Sequence, residues 1–441
     1  MFTSHSSIEI ASRISPLLCD SYKQNESNDS MINDMSKPNP KTADIVLDKL
    51  QSFSTTYVKS DLSSDRLIAT LMYRTKTSYS SQLSCDTNQS LPPASNSCAT
   101  PSPILPVSTV SELQSLSSVS SAPALGFSSN ASWGPGISYL CINTFQNLVS
   151  SLLLNKGSPT LTFCQKFLDK PKDPLIVELI SSKFLNHKIQ NLSNLSTHEL
   201  IQKFEADWNV DIIFQVDTVF RRYPRLVCFD MDSTLIQEEL IDLIAASIGV
   251  EAEVSALTER AMNGELDFLE SLKMRVKLLE GIEEDIFIKL RSSITPTRGV
   301  KELVRALKRI GVRTAVFSGG FLSTASWLAE ELGLDYAHAN ILSVSNGRLT
   351  GELEGDIVNA ERKRTLLCEV AKKENIELSQ TIAVGDGAND LLMLGAAGLG
   401  VAWNAKPFVQ RQVQAKLNRE SLLDLLYVFG FTAEEISSLV S

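Results

Sequence analysis

The run Leu226-Val-Cys-Phe229 leads straight into Asp230-Met-Asp232-Ser-Thr-Leu235, two carboxylates two positions apart followed by two hydroxyls. A short apolar run rich in strand formers is the pattern of a strand buried on both faces, as in a parallel sheet covered by helices. In open sheets of that kind, ligands gather outside the carboxyl ends of the strands. Both aspartates therefore fall where chemistry is done. Alone, Asp-x-Asp is a weak signal, because such pairs also sit in solvated turns or cap helices. The rest of the chain strengthens it.

Three more pieces come in order, two at the end of an apolar run and one at the start of a helical pattern. Val312-Arg-Thr-Ala-Val-Phe317 leads into Ser318-Gly319-Gly320-Phe321. Lys363 lies at the start of a helical pattern, in Asn359-Ala-Glu-Arg-Lys-Arg-Thr365. Thr381-Ile-Ala-Val384 leads into Gly385-Asp386-Gly387-Ala-Asn389-Asp390. Each has an ordinary reading in isolation: a turn, a solvated surface lysine, a helix cap. Together, as a carboxylate pair, a hydroxyl with glycines, a lysine and a second acidic cluster, they resemble the four ordered motifs of the haloacid dehalogenase-like phosphatases. That resemblance implies a doubly wound, Rossmann-like α/β core with an inserted helical cap.

Charge alone constrains such a site. At ~4 Å and an effective dielectric near ~20, each pair of like unit charges costs about 4 kcal/mol. Asp230 facing a phosphate dianion beside Asp232, Asp386 and Asp390 needs cations. Few, hard oxygen ligands suit Mg²⁺, which keeps several waters and bridges to phosphate, and Lys363 adds a fixed positive charge. The resemblance supplies roles. It implies that Asp230 is the nucleophile and that Asp232 is the acid and base. Asp230, Asp386 and the Asp232 backbone carbonyl would be the metal ligands. Ser318, the Gly319 N–H and Lys363 would hold phosphate oxygens, Asn389 would touch substrate, and Asp390 would organise the surroundings of the metal.

The segment between the first two motifs is similar to the phosphoserine phosphatase family in particular. The similarity lies in Asp230-Met-Asp-Ser-Thr-Leu-Ile-Gln-Glu-Glu239, Glu259-Arg-Ala-Met262-Asn-Gly-Glu-Leu-Asp-Phe268 and Ser271-Leu-Lys-Met-Arg275. Helical spacing of Leu240, Ile241, Leu243, Ile244 and Ile248 predicts an amphipathic helix, and helical pattern continues to about Arg291. These elements would form a cap at about 238–296. Phosphoserine carries an ammonium and a carboxylate besides its phosphate. The resemblance implies that Glu239 pairs with the former, that Arg275 binds the latter through its planar fork, and that Met262 and Phe268 wall the pocket. Spacing alone would make Met262 and Phe268 ordinary cap core and Glu239 a first-turn helix acid. The product would be serine, released in the last step of its biosynthesis.

Within the expected core, Gly299 to Ile310 is predicted as a helix. Leu322 to Leu332 is another, ended by Gly333. Asn346-Gly347 centres a hairpin, and Gly398-Leu-Gly-Val-Ala402 is the last short strand. Asn404-Ala-Lys-Pro407 and Leu426 to Ile436 are similar to fungal members of the family. The resemblance covers about residues 225–441.

The front half is less legible. Residues 1–136 are expected to be largely disordered, polar up to about 60 and dense in Ser, Pro, Ala and Thr from about 78. Residues 65–73 are predicted as a lone strand belonging to the domain after the Ser-rich stretch. From 137 to 224, a strand at Leu175 to Ile180, a helix at Thr197 to Phe204 and a strand at Val210 to Gln215 predict small α/β elements. Val216 to Arg222 is similar to the linker of phosphoserine phosphatases with an ACT-like front domain, here split by the Ser-rich insertion. With no ligand motif visible, this domain is expected to pack or to form a homodimer.

A net charge of −10 argues against nucleic acid or anionic membrane as partner. The basic pairs Arg221-Arg222 and Lys372-Lys373 are expected on the surface, and His338 in a structural role. Cys19, Cys85, Cys98, Cys141, Cys164, Cys228 and Cys368 are scattered without Cys-x-x-Cys, as in reduced cytoplasmic proteins, with Cys228 buried. No apolar run approaches the ~20 residues of a membrane span, and Glu9 with a single Arg13 makes a poor leader. Two rivals stand beside the phosphoserine reading: a phosphatase for another small phosphomonoester, and a non-catalytic amino-acid sensor on the same core.

Overall fold

The computed structural model describes residues 66–74, 136–154, 161–182, 195–262 and 266–441, the side chains of Ala261 and Met262 excepted. The expectations for residues 1–65 and for 75–135 of the Ser-rich stretch lie outside the described residues. Strand β1 (Leu67–Tyr73) precedes that stretch and helix α1 (Tyr139–Leu153) comes after it. Next come β2 (Phe163–Phe167), β3 (Ile176–Ser181), α2 (Glu199–Trp208) and β4 (Val210–Val216). The four strands form one antiparallel sheet in the order β2-β3-β1-β4. This βαββαβ arrangement is the split βαβ of ferredoxin-like domains.

The strand at residues 67–73 is central, pairing with β3 on one side and β4 on the other. Its alternation explains why. Leu67, Ala69 and Leu71 pack with Ile142, Phe145, Ile201 and Phe204 of the two helices. Met72, with Ile176 and Ile213, joins the apolar cluster that runs into the second domain. Helix α2 runs past Phe204 to Trp208 because its stop is Asn209, in the left-handed conformation at φ 51°.

A one-turn helix α3 (Val219–Arg222) links the domains. Arg221 and Arg222 are not a surface pair. Arg221 Nη2 reaches Glu178 Oε2 at 2.5 Å, and Arg222 bonds Glu435 Oε1 at 2.7 Å and the Gly430 carbonyl at 2.8 Å. The Arg222 guanidinium also stacks 4.3 Å from the centre of the Phe431 ring. The pair finds its ion-pair carboxylates far along the chain, because the linker is wedged between domains. Lys372 and Lys373 are exposed.

The second domain opens with β5 (Leu226–Phe229) and then the cap helices α4 (Leu240–Ile248), α5 (Glu251–Met262), α6 (Phe268–Lys277) and α7 (Ile286–Leu290). The core resumes with α8 (Val300–Arg309), β6 (Arg313–Phe321), α9 (Leu322–Leu332), β7 (Tyr336–Ser345), β8 (Arg348–Glu354), α10 (Ala360–Lys373) and β9 (Thr381–Gly385). It ends with α11 (Leu391–Ala396), β10 (Leu399–Trp403), α12 (Pro407–Gln410), β11 (Ala415–Leu417), α13 (Leu425–Val428) and α14 (Ala433–Val440). Seven strands lie in the order β11-β10-β9-β5-β6-β7-β8, parallel except for β8. This is the doubly wound Rossmann-like core. Strand β5 sits where the order turns both ways, the switch point at which such sheets bind ligands.

Local chemistry sets several boundaries. Asp267 and Glu270 form a capping box at the start of α6. Gly333 ends α9 at φ 77°. Asn346 and Gly347, both at positive φ, make the two-residue turn between β7 and β8. The strand at β10 is not the last, because β11 pairs parallel to it. Three residues, Ala415-Lys-Leu417, are too few for a periodic signal, and the strand forms because a neighbour offers an edge.

The cap enters and leaves through two paired segments, Gln237 N–H donating to the Thr295 carbonyl at 3.0 Å and Thr297 N–H to the Leu235 carbonyl at 2.8 Å. The β7–β8 hairpin braces it from the far side, with Gly281 N–H donating to the Leu349 carbonyl and Leu349 N–H to the Ile282 carbonyl, both at 2.8 Å. The front domain is fastened along β11. Lys416 forms a buried ion pair with Glu205, and Asp211 accepts from the Asn418 backbone N–H at 2.8 Å and its amide at 2.9 Å.

Candidate active site

Strands β5, β6 and β9 end side by side, and their first loop residues converge. Asp230, directly after β5, is anchored by its own N–H donating to the Val384 carbonyl of β9 at 2.9 Å. Its Oδ1 accepts from Met231 N–H at 2.7 Å and meets the Lys363 ammonium at 2.7 Å. Lys363 is 0 % exposed although it sits on a helix. The ordinary surface reading of a helical lysine fails here because α10 lies against the sheet with this side chain pointing inward. The same ammonium reaches Asp390 Oδ1 at 2.7 Å.

The other oxygen of Asp390, Oδ2, accepts from Gly387 N–H at 3.0 Å. Its carboxylate needs one close glycine approach, at Gly385. A Cβ on Gly385 would lie 2.5 Å from Asp390 Cγ, so only glycine permits the turn after β9. Asp386 accepts from Thr234 Oγ1 at 3.3 Å. Carboxylate oxygens of Asp230, Asp386 and Asp390 lie within 4.8 Å of one another. Three hard oxygens so close suit a small divalent cation. Asp390 is engaged by Lys363 and Gly387 through both oxygens, whereas Asp230 and Asp386 each keep an oxygen, Oδ2, with no hydrogen-bond donor among the described residues.

Electrostatics supports that reading. Burial, then the Asp390 charge, pushes the Asp230 carboxyl well above its usual range, while Lys363 opposes the shift. Asp386 is pushed up to about 7, first by burial and then by Asp390 and Glu239. Lys363 loses by burial, yet Asp230 and Asp390 outweigh that and hold it above its usual value. The cluster has more negative charge than one ammonium neutralises.

Asp232 turns away from this cluster. Its Oδ1 accepts from Leu240 N–H at 3.0 Å, and its Oδ2 lies 3.4 Å from Ser318 Oγ. Burial, then the neighbouring Glu239 charge, raises its carboxyl to about 7. Ser233, next in the chain, adopts the left-handed region at φ 54° and donates to Glu239 Oε1 at 2.7 Å. Glu239 stands at the N-cap of α4 with no side-chain cap bond, and the acid in the first turn is Asp242.

Ser318 Oγ accepts from Gly320 N–H at 2.8 Å. A Cβ on Gly320 would meet Asp232 Oδ2 at 3.0 Å, so this glycine lets the two motifs touch. Gly319 faces the cap. A Cβ there would contact Phe268 at 3.7 Å and the Asn389 amide at 3.9 Å. Phe268 is therefore at the cap–core boundary, with part of its ring exposed, and not in the cap core. Arg275 lies farther along the same helix, α6. Its Nε donates to the Ser271 carbonyl at 3.3 Å, and among the described residues it makes no ion pair. Burial lowers its pKa, against the pull of Asp242 and Glu239. The Met262 side chain lies outside the described residues.

Sequence patterns left Thr234, Gly320 and Gly385 without a role. The glycines could have been suspected, since each adjoins a motif residue. Thr234 reads only as one of the two hydroxyls after the carboxylate pair, with nothing to point it at Asp386. Cys228 is buried beneath Asp230 in β5, which holds its thiol well above the usual range, and it takes no part in the site. No helix among the described residues is long and apolar enough to cross a membrane.

The haloacid dehalogenase-like hydrolase family matches residues 224–398. The phosphoserine phosphatase of Saccharomyces cerevisiae is 44 % identical over 241 residues, 54 % of this chain and 78 % of its own. That of Methanocaldococcus jannaschii is 44 % identical over 202 residues, 46 % of this chain and 96 % of its own. The crystal structure of a haloacid dehalogenase family hydrolase from Salmonella enterica superposes with a TM-score of 0.54 at 29 % identity, over 66 % of this chain and 96 % of that one. With these relatives and this convergence of strand ends, the chain belongs to the phosphoserine phosphatase family of haloacid dehalogenase-like hydrolases.

Proposed function

We propose that the chain hydrolyses O-phospho-L-serine to L-serine and phosphate through an aspartyl-phosphate on Asp230. The observation that carries this is the split environment of the two aspartates. Asp230 lies in the acidic cluster against Lys363. Asp232 stands apart, near Ser318, with a carboxyl raised to about 7. A nucleophile and an acid/base need those different surroundings.

Asp230 attacks phosphorus, and the P–O bond to serine breaks. Asp232, protonated at the start, gives its proton to the departing serine oxygen. It then takes one from the water that cleaves the aspartyl-phosphate, which returns both carboxyls to their first state. Ser318 Oγ, the Gly319 N–H and Lys363 hold the phosphate oxygens, and fixed donors of this kind stabilise charge that grows in the transition state. Glu239 takes the ammonium of the substrate and Arg275 its carboxylate, while Phe268 walls the pocket and Asn389 orients the substrate. Asp230, Asp386 and the Asp232 backbone carbonyl would hold Mg²⁺, which when bound would supply charge neutralisation of the phosphoryl group. The product places the reaction at the end of serine biosynthesis, and a cytoplasmic site agrees with it. The four-stranded front sheet fits an ACT-like domain whose role is packing or homodimer formation.

The test is phosphate release from L-phosphoserine by the full-length protein, with Mg²⁺ and then with EDTA. Rapid release that EDTA abolishes is expected. No release from phosphoserine, with release from another phosphomonoester, would redirect the substrate. Serine binding without any release would favour a sensor.

A further inference from the structure

Strands β6 and β7 pair in register from Ala315↔Tyr336 to Phe317↔His338, and the next pair is Phe321↔Asn340. Between those pairs β6 spends four steps and β7 only two. Ser318, Gly319 and Gly320 bulge out of the ladder, the means by which a sheet re-aims residues at its end. The bulge turns the Gly319 N–H out of the ladder, and it leaves the Gly319 carbonyl without a strand partner.

Asn340, 1 % exposed, fills that gap. Its Nδ2 donates to the Gly319 carbonyl at 2.8 Å, and its Oδ1 accepts from Val358 N–H at 2.7 Å. Only the amide nitrogen can serve a carbonyl and only the amide oxygen an N–H, so the two partners fix the orientation of the side chain. Val358 immediately precedes Asn359, the cap of α10. The Asn359 side chain accepts from Arg362 N–H at 2.9 Å, and its carbonyl accepts from Lys363 N–H at 2.9 Å. One buried amide thus joins the bulge in β6 to the first turn of the helix that carries Lys363.

We propose that Asn340 is a positioning residue for phosphate: it holds the Gly319 N–H and the Lys363 ammonium at a fixed separation, so that they act as one anion-binding unit. It touches neither substrate nor metal ligands. This rests on the phosphoserine phosphatase reading. Without the amide, the Gly319 carbonyl seeks another donor and the bulge relaxes toward the ladder, turning the Gly319 N–H out of the site. The cap, where serine's ammonium and carboxylate bind, is held by other contacts and does not depend on this link.

The experiment compares the parent with Asn340→Ala and Asn340→Ser, full length and with Mg²⁺. It measures phosphoserine turnover and, by calorimetry, binding of inorganic phosphate and of L-serine. The expected result is a loss of about tenfold or more in kcat/KM and in phosphate affinity, while L-serine affinity stays within about twofold. Equal weakening of phosphate and serine would make Asn340 a general structural residue and overturn the proposal. So would turnover within about twofold of the parent. Should Asn340→Ala fail to fold, Asn340→Ser, which retains a polar group too short to span both partners, carries the same comparison. A parent inactive on phosphoserine would instead sink the family reading, which is a separate outcome.

Discussion

Replacing Lys363 by Met tests the electrostatic account of the site most directly. Methionine matches the shape of the lysine stem and leaves no charge. In the folded chain the ammonium lies 2.7 Å from both Asp230 and Asp390 and is fully buried. At an effective dielectric of ~20, each contact is worth about 6 kcal/mol of attraction. Desolvating the ions offsets much of that, and breaking a buried pair by removing one partner costs about 3–5 kcal/mol net. For a domain of this size that corresponds to a fall in Tm of roughly 10 °C. The sign with pH is set by Asp230. Its carboxyl is already held well above the usual range by burial and by Asp390, with Lys363 opposing, and losing the lysine raises it further. A carboxyl raised in the folded state costs stability where it is ionised. The cost is absent below its unfolded value and grows as pH rises to the folded one. Urea unfolding in EDTA should therefore show a larger loss at about pH 8 than at about pH 5.5, and Mg²⁺ should reduce the loss at the higher pH. A loss under about 1 kcal/mol, the size of a surface pair, or one independent of pH, would refute the reasoning.

Further outcomes are specific to single residues. Asp230→Asn should lower turnover by at least about a thousandfold with an unchanged circular dichroism spectrum, and substantial residual release would remove it as nucleophile. Arg275→Ala should weaken kcat/KM for phosphoserine by about 10–100-fold and leave phosphoethanolamine, which lacks the carboxylate, nearly unaffected, because a charge-assisted hydrogen bond is worth about 1.5–3 kcal/mol. Equal loss on both substrates would make it a structural cap residue. Gly385→Ala places a Cβ 2.5 Å from Asp390 Cγ and should cost about 1–3 kcal/mol together with most activity. Gly395→Ala, with nothing within 4 Å, should instead be neutral or stabilising by up to about 1 kcal/mol. Thermal unfolding of the two variants side by side checks the contrast.

What could be read from the chain alone was local. Leu226 to Phe229, Arg313 to Phe317 and Thr381 to Val384 are short apolar runs followed by polar residues, and that pattern specifies buried parallel strands whatever surrounds them. Gly333 and Asn346-Gly347 mark a helix end and a hairpin because positive φ is a property of the residue. The order of the four motifs was enough to suggest the core, the family and the candidate catalytic set. Tertiary structure decided everything that depends on distance along the chain. Lys363 is buried and doubly paired only because α10 packs its first turn against the ends of β5 and β9. The lone strand at Leu67 to Tyr73 is central only because β3 and β4, more than a hundred residues later, flank it. Arg221 and Arg222 read as surface charge until Glu178 and Glu435 meet them. Asn340, one amide in a strand that also carries His338, Ser343 and Ser345, has no periodicity or motif to mark it. Its two partners are brought together by a bulge on one neighbouring segment and a helix start on another. Periodicity and turn chemistry act within a few residues, so the sequence records them directly; ion pairs and hydrogen bonds between segments exist only once the chain has closed on itself.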